Sequence, residues 1–329
     1  MPKKDPSQEA LRELRAMEAD DPSPAGIARL RQLIAHRSNH VVGRAAKLAM
    51  LWHADALSPD LAAAFVRFLD NPVKTDPGCA AKQPIIEALD ALEHTDPTVY
   101  LIGVRYAQRE PSFGPPIDTA ANLRGACGHA LLNLRHADAW LEMAALLNDP
   151  EARTRRMAME SLGGSESGNA ELLLRMAVLS GDEEPDVTAL GLQALMRVEP
   201  ERSLSFVRGY LSNYEPILAE GAALAIGEAR LPESFSILRQ TFDRPVRGLS
   251  QNDLCLPMAL TRDDEAITFL LGIVRSDRAP LARAALKALA IYSAQPERVA
   301  AVRDAVDARG EREMALLFND LYDGAGPGE

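Results

Sequence analysis

Residues 218–227 read LAEGAALAIG, a run of small and apolar residues broken by one charge. Its apolar positions fall three or four apart, which lines them along one side of a helix. Three other stretches repeat the pattern: 154–163 (TRRMAMESLG), 187–196 (VTALGLQALM) and 281–290 (LARAALKALA). Aligned, Leu162, Leu195, Ile226 and Leu289 share one register, at gaps of 33, 31 and 63 residues, the last with room for two repeats. A period of roughly 30 to 45 residues with two helices per unit is the mark of a helical solenoid. Within LAEGAALAIG, Gly221 and the alanines leave room for neighbouring helices. Leu218, Leu224 and Ile226 supply bulk, and Gly227 ends the match.

Paired helices extend outward from this stretch in both directions. Ile27, Leu30, Leu33 and Ile34 make one helix face, and 41–52 its partner. Further pairs are expected at 59–69 with 79–92, at 98–108 with 118–134, and at 138–147 with 154–162. Beyond these, 170–179 pairs with 186–196, and 201–211 with 216–227. The pattern then gives 232–242 with 246–260, 264–274 with 280–291, and 296–308 with 312–322. Two segments break it. Residues 109–116 (REPSFGPP) are too rich in proline and glycine for a helix. Residues 246–257 carry Gly248, Ser250, Asn252, Asp253 and Pro257, so the helix there begins poorly and is kinked or short. The expected organisation is a flexible or short helical arm over 1–22, a single solenoid over 23–322, and a disordered tail over 323–329.

The chain has 329 residues and a net charge of -11, with an isoelectric point near 5.2. Nucleic-acid binding draws much of its affinity from cationic side chains on phosphates, and anionic membranes select for the same cations. The acidic balance argues against both as partners. Cys79, Cys127 and Cys255 are odd in number and far apart, which fits neither a disulfide framework nor a zinc site. Their apolar helical contexts predict buried thiols. The opening MPKKDPSQEALREL lacks the apolar core of a signal peptide, and no apolar run reaches about 18 residues. The expectation is a soluble cytoplasmic protein.

A family pattern is visible in these repeats. A second helix reading V-R-x-x-A-A-x-A-L-G follows an Asp-Pro turn. Asn148, Asp149, Pro150, Arg155, Ala158, Leu162 and Gly163 match it best. Leu218, Ala222, Ala223, Ile226 and Gly227 match its apolar positions, as do Leu281, Ala284, Ala285, Ala288 and Leu289. Ala219 and Ala282 stand at the arginine position, and Val42, Ala45, Ala46 and Ala49 make an early divergent copy. The chain therefore resembles HEAT-like repeat proteins of the phycobilisome-lyase type. The resemblance implies an all-α fold, a right-handed alpha-alpha superhelix of about eight to nine helix pairs. That family includes scaffolds, adaptors and chromophore lyases, and a fold shared so widely does not transmit one activity.

Candidate chemistry is sparse. His36, His40, His53, His94, His129 and His136 all fall in the first 136 residues. No His-Glu dipeptide occurs, although the iron hydroxylases built on such repeats carry them in series; Glu93-His94 has the reverse order. No catalytic, cofactor-binding or metal-ligating residue is assigned. Arg153, Arg155 and Arg156 form a short basic group before Glu160, and are expected to pair with acids of a neighbouring repeat. If second helices line a concave face, their outward polar positions are the partner contacts: Lys82, Arg124, Arg155, Glu160, Gln193, Glu220, Arg283 and Lys287. Asp118 is expected to cap the helix after the 109–116 loop, with Arg124 bracing that loop or meeting a ligand. Phe113 is expected to tuck against the solenoid, and Tyr100 and Trp140 to be packing residues. The function expected is a non-catalytic scaffold or adaptor that holds a protein or peptide on its concave face, with self-association open. The alternatives are a lyase-like or other accessory enzyme whose site forms by tertiary convergence, and a nucleic-acid-binding solenoid.

Overall fold

The computed structural model describes residues 6–244 and 246–322, and the expected tail at 323–329 lies outside them. The chain forms two compact units, Met1–Ser161 and Leu162–Glu329. Both are built from helix pairs, the all-α repeat architecture that the periodicity predicts.

The first unit contains α1 (Pro6–Met17), α2 (Pro24–Ile34), α3 (Asn39–Leu51), α4 (Ser58–Arg67), α5 (Pro72–Thr75) and α6 (Lys82–Ala91). It continues with α7 (Thr98–Gly103), a two-stranded antiparallel ribbon of β1 (Arg109–Glu110) and β2 (Ile117–Asp118), α8 (Ala121–Asn133) and α9 (Ala139–Leu146). Helix α10 (Ala152–Gly163) carries the chain across to the second unit. Helices α3, α6 and α8 stack on one another, while α2, α4, α7 and α9 flank them. Helix α1 packs on α3 through its buried Ala10 and Leu14.

The second unit contains α11 (Gly168–Ser180), α12 (Pro185–Val198), α13 (Pro200–Gly209), α14 (Pro216–Ala229) and α15 (Ser234–Asp243). It ends with α16 (Cys255–Leu260), α17 (Asp264–Ser276), α18 (Ala279–Leu289), α19 (Pro296–Arg309) and α20 (Arg312–Tyr322). Here α12, α14, α16 and α18 stack in turn. Many of these helices open on proline, among them α12, α13, α14 and α19. At the first helical position the missing N–H has no partner to lose. Helix α17 is instead capped by Asp263, whose carboxylate accepts from the amides of Glu265 and Ala266.

The opening stretch lies inside α14, between α12 and α16. Ala219, Ala222 and Ala223 are fully buried. A Cβ added to Gly221 would stand 2.7 Å from the Cβ of Ala189 on α12. One added to Gly227 would collide with the carbonyl oxygen of Pro257 on α16. Gly227 is therefore a contact glycine and not the end of its helix. The helix runs two residues further and is terminated by Arg230 in the left-handed region, at φ 52°.

The ends of α3, α6 and α8 use the same device. His53, Glu93 and Arg135 take positive φ, and the next amide reaches back five residues, Ala54 to Ala49, His94 to Leu89 and His136 to Leu131. This is the Schellman closure, here built without the usual glycine.

The helix expected from Val246 begins only at Cys255. Val246 bridges Leu249 around Gly248, whose φ is +87°. The Asp253 carboxylate then accepts from both the amide and the hydroxyl of Ser250. Pro257 falls in the first turn of the shortened helix, where its lack of an N–H costs nothing.

The mid-helix glycines give a paired prediction. Gly227→Ala should lower stability by about 1–3 kcal/mol, because a backbone carbonyl must move. Gly272→Ala, in the middle of α17 with open space around its Cα, should raise stability by about 0.5–1 kcal/mol through helix propensity. Urea denaturation of the two variants checks the opposite signs.

Candidate partner-binding surface

The 70–82 connector joins α4 to α6 and sets the first feature. Asp76 is fully buried. Its carboxylate accepts from the amides of Ala81 (2.8 Å) and Lys82 (3.1 Å), from the Asn39 side chain (3.2 Å), and from Lys82 Nζ (2.8 Å). Lys82 is 0% exposed. Its ammonium also donates to the Phe68 carbonyl and sits 5.4 Å over the Tyr106 ring. Outward presentation of Lys82 to a partner, expected from its place in the helix pattern, is thus corrected. Lys82 is the charge that Asp76 needs in order to be buried.

The β ribbon is fastened to this core. Glu110 Oε1 accepts from the Gly78 amide (2.7 Å), the Gln108 side chain (2.6 Å) and the Thr119 hydroxyl (2.7 Å). Asp118 Oδ1 accepts from the amides of Gln108 and Ala120, both at 3.0 Å, and Oδ2 from Arg124 at 2.7 Å. Arg124 is itself buried. It donates to the Tyr106 carbonyl and, through two nitrogens, to both oxygens of Asp149. Arg155 donates to the carbonyls of Asp149 and Pro150. Asp118 lies in β2 and does not cap α8, whose flanking residue is Ala120; its carboxylate accepts from the Ala120 amide instead, and Arg124 braces the loop. Lys82, Asp118, Arg124 and Arg155 therefore converge on one polar seam, in which Lys82 and Arg124 are buried and have a structural role in place of the expected partner contact, while Asp118 and Arg155 are half-buried.

Burial works against ionisation of Asp118, but the Gln108 and Ala120 amides and Arg124 outweigh it and hold its carboxyl below the usual range. Glu110 is likewise lowered: burial opposes, and its contacts with Gln108, Gly78, Thr119 and Lys82 prevail. Burial pushes the Cys79 thiol beside them up to about 11, which leaves it unreactive near neutral pH.

At the tip of this ribbon Phe113 is fully exposed. The expected tucked position is wrong. The β1–β2 pairing lifts residues 111–116 off the helices, and Ser112 closes the tip locally by donating to the Pro115 carbonyl. Tyr100 is buried as expected, its hydroxyl directed at the His94 carbonyl. His36 and His136 serve turns, each accepting at Nδ1 from the amide two residues on.

A second feature lies further along the same helices. Glu87 and Asp90 of α6, Ala126 and His129 of α8, and Met157 and Glu160 of α10 line a groove of about 350 Å³. Ala126 and Met157 give it apolar lining, and the carboxylates and imidazole are polar. Asp90 is positioned by Asn133, whose amide donates to both carboxylate oxygens at 3.1 Å, and lies 3.8 Å from His129 Nε2. An adjoining hollow of about 480 Å³ shares Asp90 and is lined by Glu93, His94, Tyr100 and Arg135 among others. Of the sequence candidates, only Glu160 belongs to the groove. Glu87 with Asp90, and Ala126 with His129, are i,i+3 neighbours on their helices, a row that the sequence contains but that basic first-turn residues obscured.

The second-unit candidates do not share a pocket. Gln193 is half-buried, and Glu220 and Lys287 are exposed. Burial, then the charge of Asp253, raises the Glu220 carboxyl. Arg283 pairs with Glu313 at 2.6 Å across α18 and α20. A pocket in this unit, about 430 Å³, is lined by Phe235, Arg239, Asp264 and Phe269 of α15 and α17, with the Arg239 guanidinium 3.7 Å over the Phe269 ring.

Among the described residues no group of His, Cys, Asp or Glu is placed to hold a metal, and no helix is long and apolar enough to cross a membrane. No family model and no curated protein matches the chain. Among solved structures, the crystal structure of an engineered protein is similar with a TM-score of 0.39 and 17% identity, over 99% of this chain and 97% of that one. Human deoxyhypusine hydroxylase in complex with glycerol is similar with a TM-score of 0.30 and 18% identity, over 79% of this chain and 92% of that one. Likenesses this loose say nothing of activity.

Two outcomes follow from the seam. Lys82→Met and Asp76→Asn should each cost about 3–5 kcal/mol, since either leaves a buried group without its partner. The double variant should cost clearly less than the sum of the two, which a denaturation cycle measures. The lowered carboxyl of Asp118 stabilises the fold above its unfolded pKa of about 3.9, and that contribution is lost as pH falls through the folded value. The stability gap between the native chain and Asp118→Asn should therefore be full at pH 7 and shrink below about pH 4. A gap constant with pH would show that the charge of Asp118 is not what matters.

Proposed function

We propose that this protein is a binding module for another protein, and that the groove of its first unit accepts a basic segment of that partner. One arrangement supports the reading. Three carboxylates, Glu87, Asp90 and Glu160, surround a groove with Ala126 and Met157 in its lining, on the turns of three helices that follow the seam. Lysine and arginine carry long apolar stems below a charged head. Their stems fit the alanine and methionine surface while the heads meet the carboxylates. Methionine adds an adaptable contact suited to more than one side chain. The rigid seam at the first turns of α6, α8 and α10 holds the groove in shape before binding, which reduces the ordering cost.

The same lining repels phosphate, so the nucleic-acid reading draws no support from this groove.

Fluorescence anisotropy with a labelled lysine-rich peptide tests the proposal. The native chain should bind it, and Glu87→Gln with Glu160→Gln should weaken binding about tenfold or more, a loss of about 1.4 kcal/mol. Glu183→Gln with Glu184→Gln, remote in sequence, should leave it unchanged. Equal loss from both pairs would reduce the effect to net charge and overturn the assignment to the groove.

A further inference from the structure

We propose that His129 makes the groove of the first unit a proton-coupled site, which holds a basic segment near neutral pH and releases it when the imidazole gains a proton. The inference rests on the reading of that groove as a seat for lysine or arginine. His129 is the histidine in the groove lining, and histidine is the side chain that changes charge between about pH 5 and 8. Its Nε2 lies 3.8 Å from Asp90 Oδ2. That is too long for a hydrogen bond from a neutral ring, and close enough for an ion pair with a charged one. Asp90 is held in place: Asn133, four residues after His129 on α8, donates its amide to both carboxylate oxygens at 3.1 Å. The His129 side chain is 49% exposed, so it exchanges its proton with solvent while the helices stay closed.

The charges that face His129 are of one sign. Glu87 and Asp90 come from α6 and Glu160 from α10, beside the uncharged Met157 and Ser161. No lysine or arginine lines the groove. On α8 itself, Arg124 is held by Asp118 and Asp149, and Cys127 is buried. Arg153, Arg155 and Arg156 lie in the first turns of α10, outside the groove lining, and Glu93 and Arg135 line the adjoining hollow. Of the flanking helices, α7 brings Tyr100, whose hydroxyl is directed at the His94 carbonyl, and α9 brings Glu142, which is paired with Arg105. A neutral imidazole leaves all three groove carboxylates to an incoming cation. A charged imidazole takes Asp90 as its own partner and repels that cation at close range. A proton on His129 and a basic head of the partner therefore compete for one carboxylate, and by linkage each expels the other. Carboxylates stay ionised and lysine stays protonated from about pH 5.5 to 8. Within that window the imidazole sets the direction, and affinity rises with pH.

Fluorescence anisotropy with the labelled lysine-rich peptide, at fixed ionic strength, reads the coupling. The native chain should bind about fivefold or more tightly at about pH 7.5 than at about pH 5.5. His129→Gln should bind with one affinity across that range, close to that of the native chain at the upper end. It should keep the native circular dichroism, because His129 is exposed. His94→Gln, in the adjoining hollow, should keep the pH dependence. In the native chain, calorimetry in two buffers of different ionisation heat should show protons released on binding near about pH 6.5 and none near about pH 8. Equal affinity at the two ends of the range, a pH dependence that survives His129→Gln, or binding without proton release would overturn the role of His129 and leave the groove reading standing. No binding at any pH would overturn both.

Discussion

The stacked second helices of each unit lie against one another only because hydrogens and methyl groups stand where they touch. Gly221 meets Ala189, Gly227 meets the backbone of Pro257, and in the first unit Gly43 meets the backbone of Ala80. At such crossings dispersion acts between main chains, and a single added carbon is felt at once. Everything else in each unit is arranged around that closeness. The flanking helices bring the large side chains, such as Phe65, Tyr100 and Phe242, and fill the space the small residues cannot.

In the first unit, the polar groups divide between two tasks. At the first turns of α6, α8 and α10, charged side chains reach back to the preceding connector and tie it down. One or two turns later, charged side chains of the same helices line an open groove. The seam is internal and its groups are paired, so it gives shape rather than recognition. The groove has the reverse properties. Its carboxylates are partly solvated and can exchange water for a ligand at modest cost.

The repeat was legible because small and apolar residues recur at helical spacing, and the structure carries most of the helix pairs where that spacing put them; α7 ends at Gly103 and α16 begins at Cys255, each shorter than the pattern gave. What periodicity could not give was the rotational phase of the polar positions. Lys82, Arg124 and Arg155 sit at helix starts, where a long cation is as useful to a nearby aspartate as to solvent, and the pattern alone does not distinguish the two. Glu87 and His129 lie five residues beyond Lys82 and Arg124, and Asp90 one turn beyond Glu87. The helix ends were also hidden, since His53, Glu93 and Arg135 take a conformation that sequence reasoning assigns to glycine or asparagine. Phe113 was misplaced for a different reason. A ribbon of two paired residues on each side is too short to show alternation, yet it suffices to hold a loop away from the core.

The three thiols have a consequence of their own. Cys127 is fully buried in α8, Cys79 lies in the first unit's polar seam, and Cys255 opens the short α16 of the second. Burial raises all three above their ordinary range, Cys79 to about 11 and Cys255 to about 12. A reagent that needs a solvent-exposed thiolate can reach them only when the surrounding helices part. Each cysteine is then a built-in clock for the opening of its own neighbourhood. The rate at which it is captured measures how often that part of the repeat array breathes.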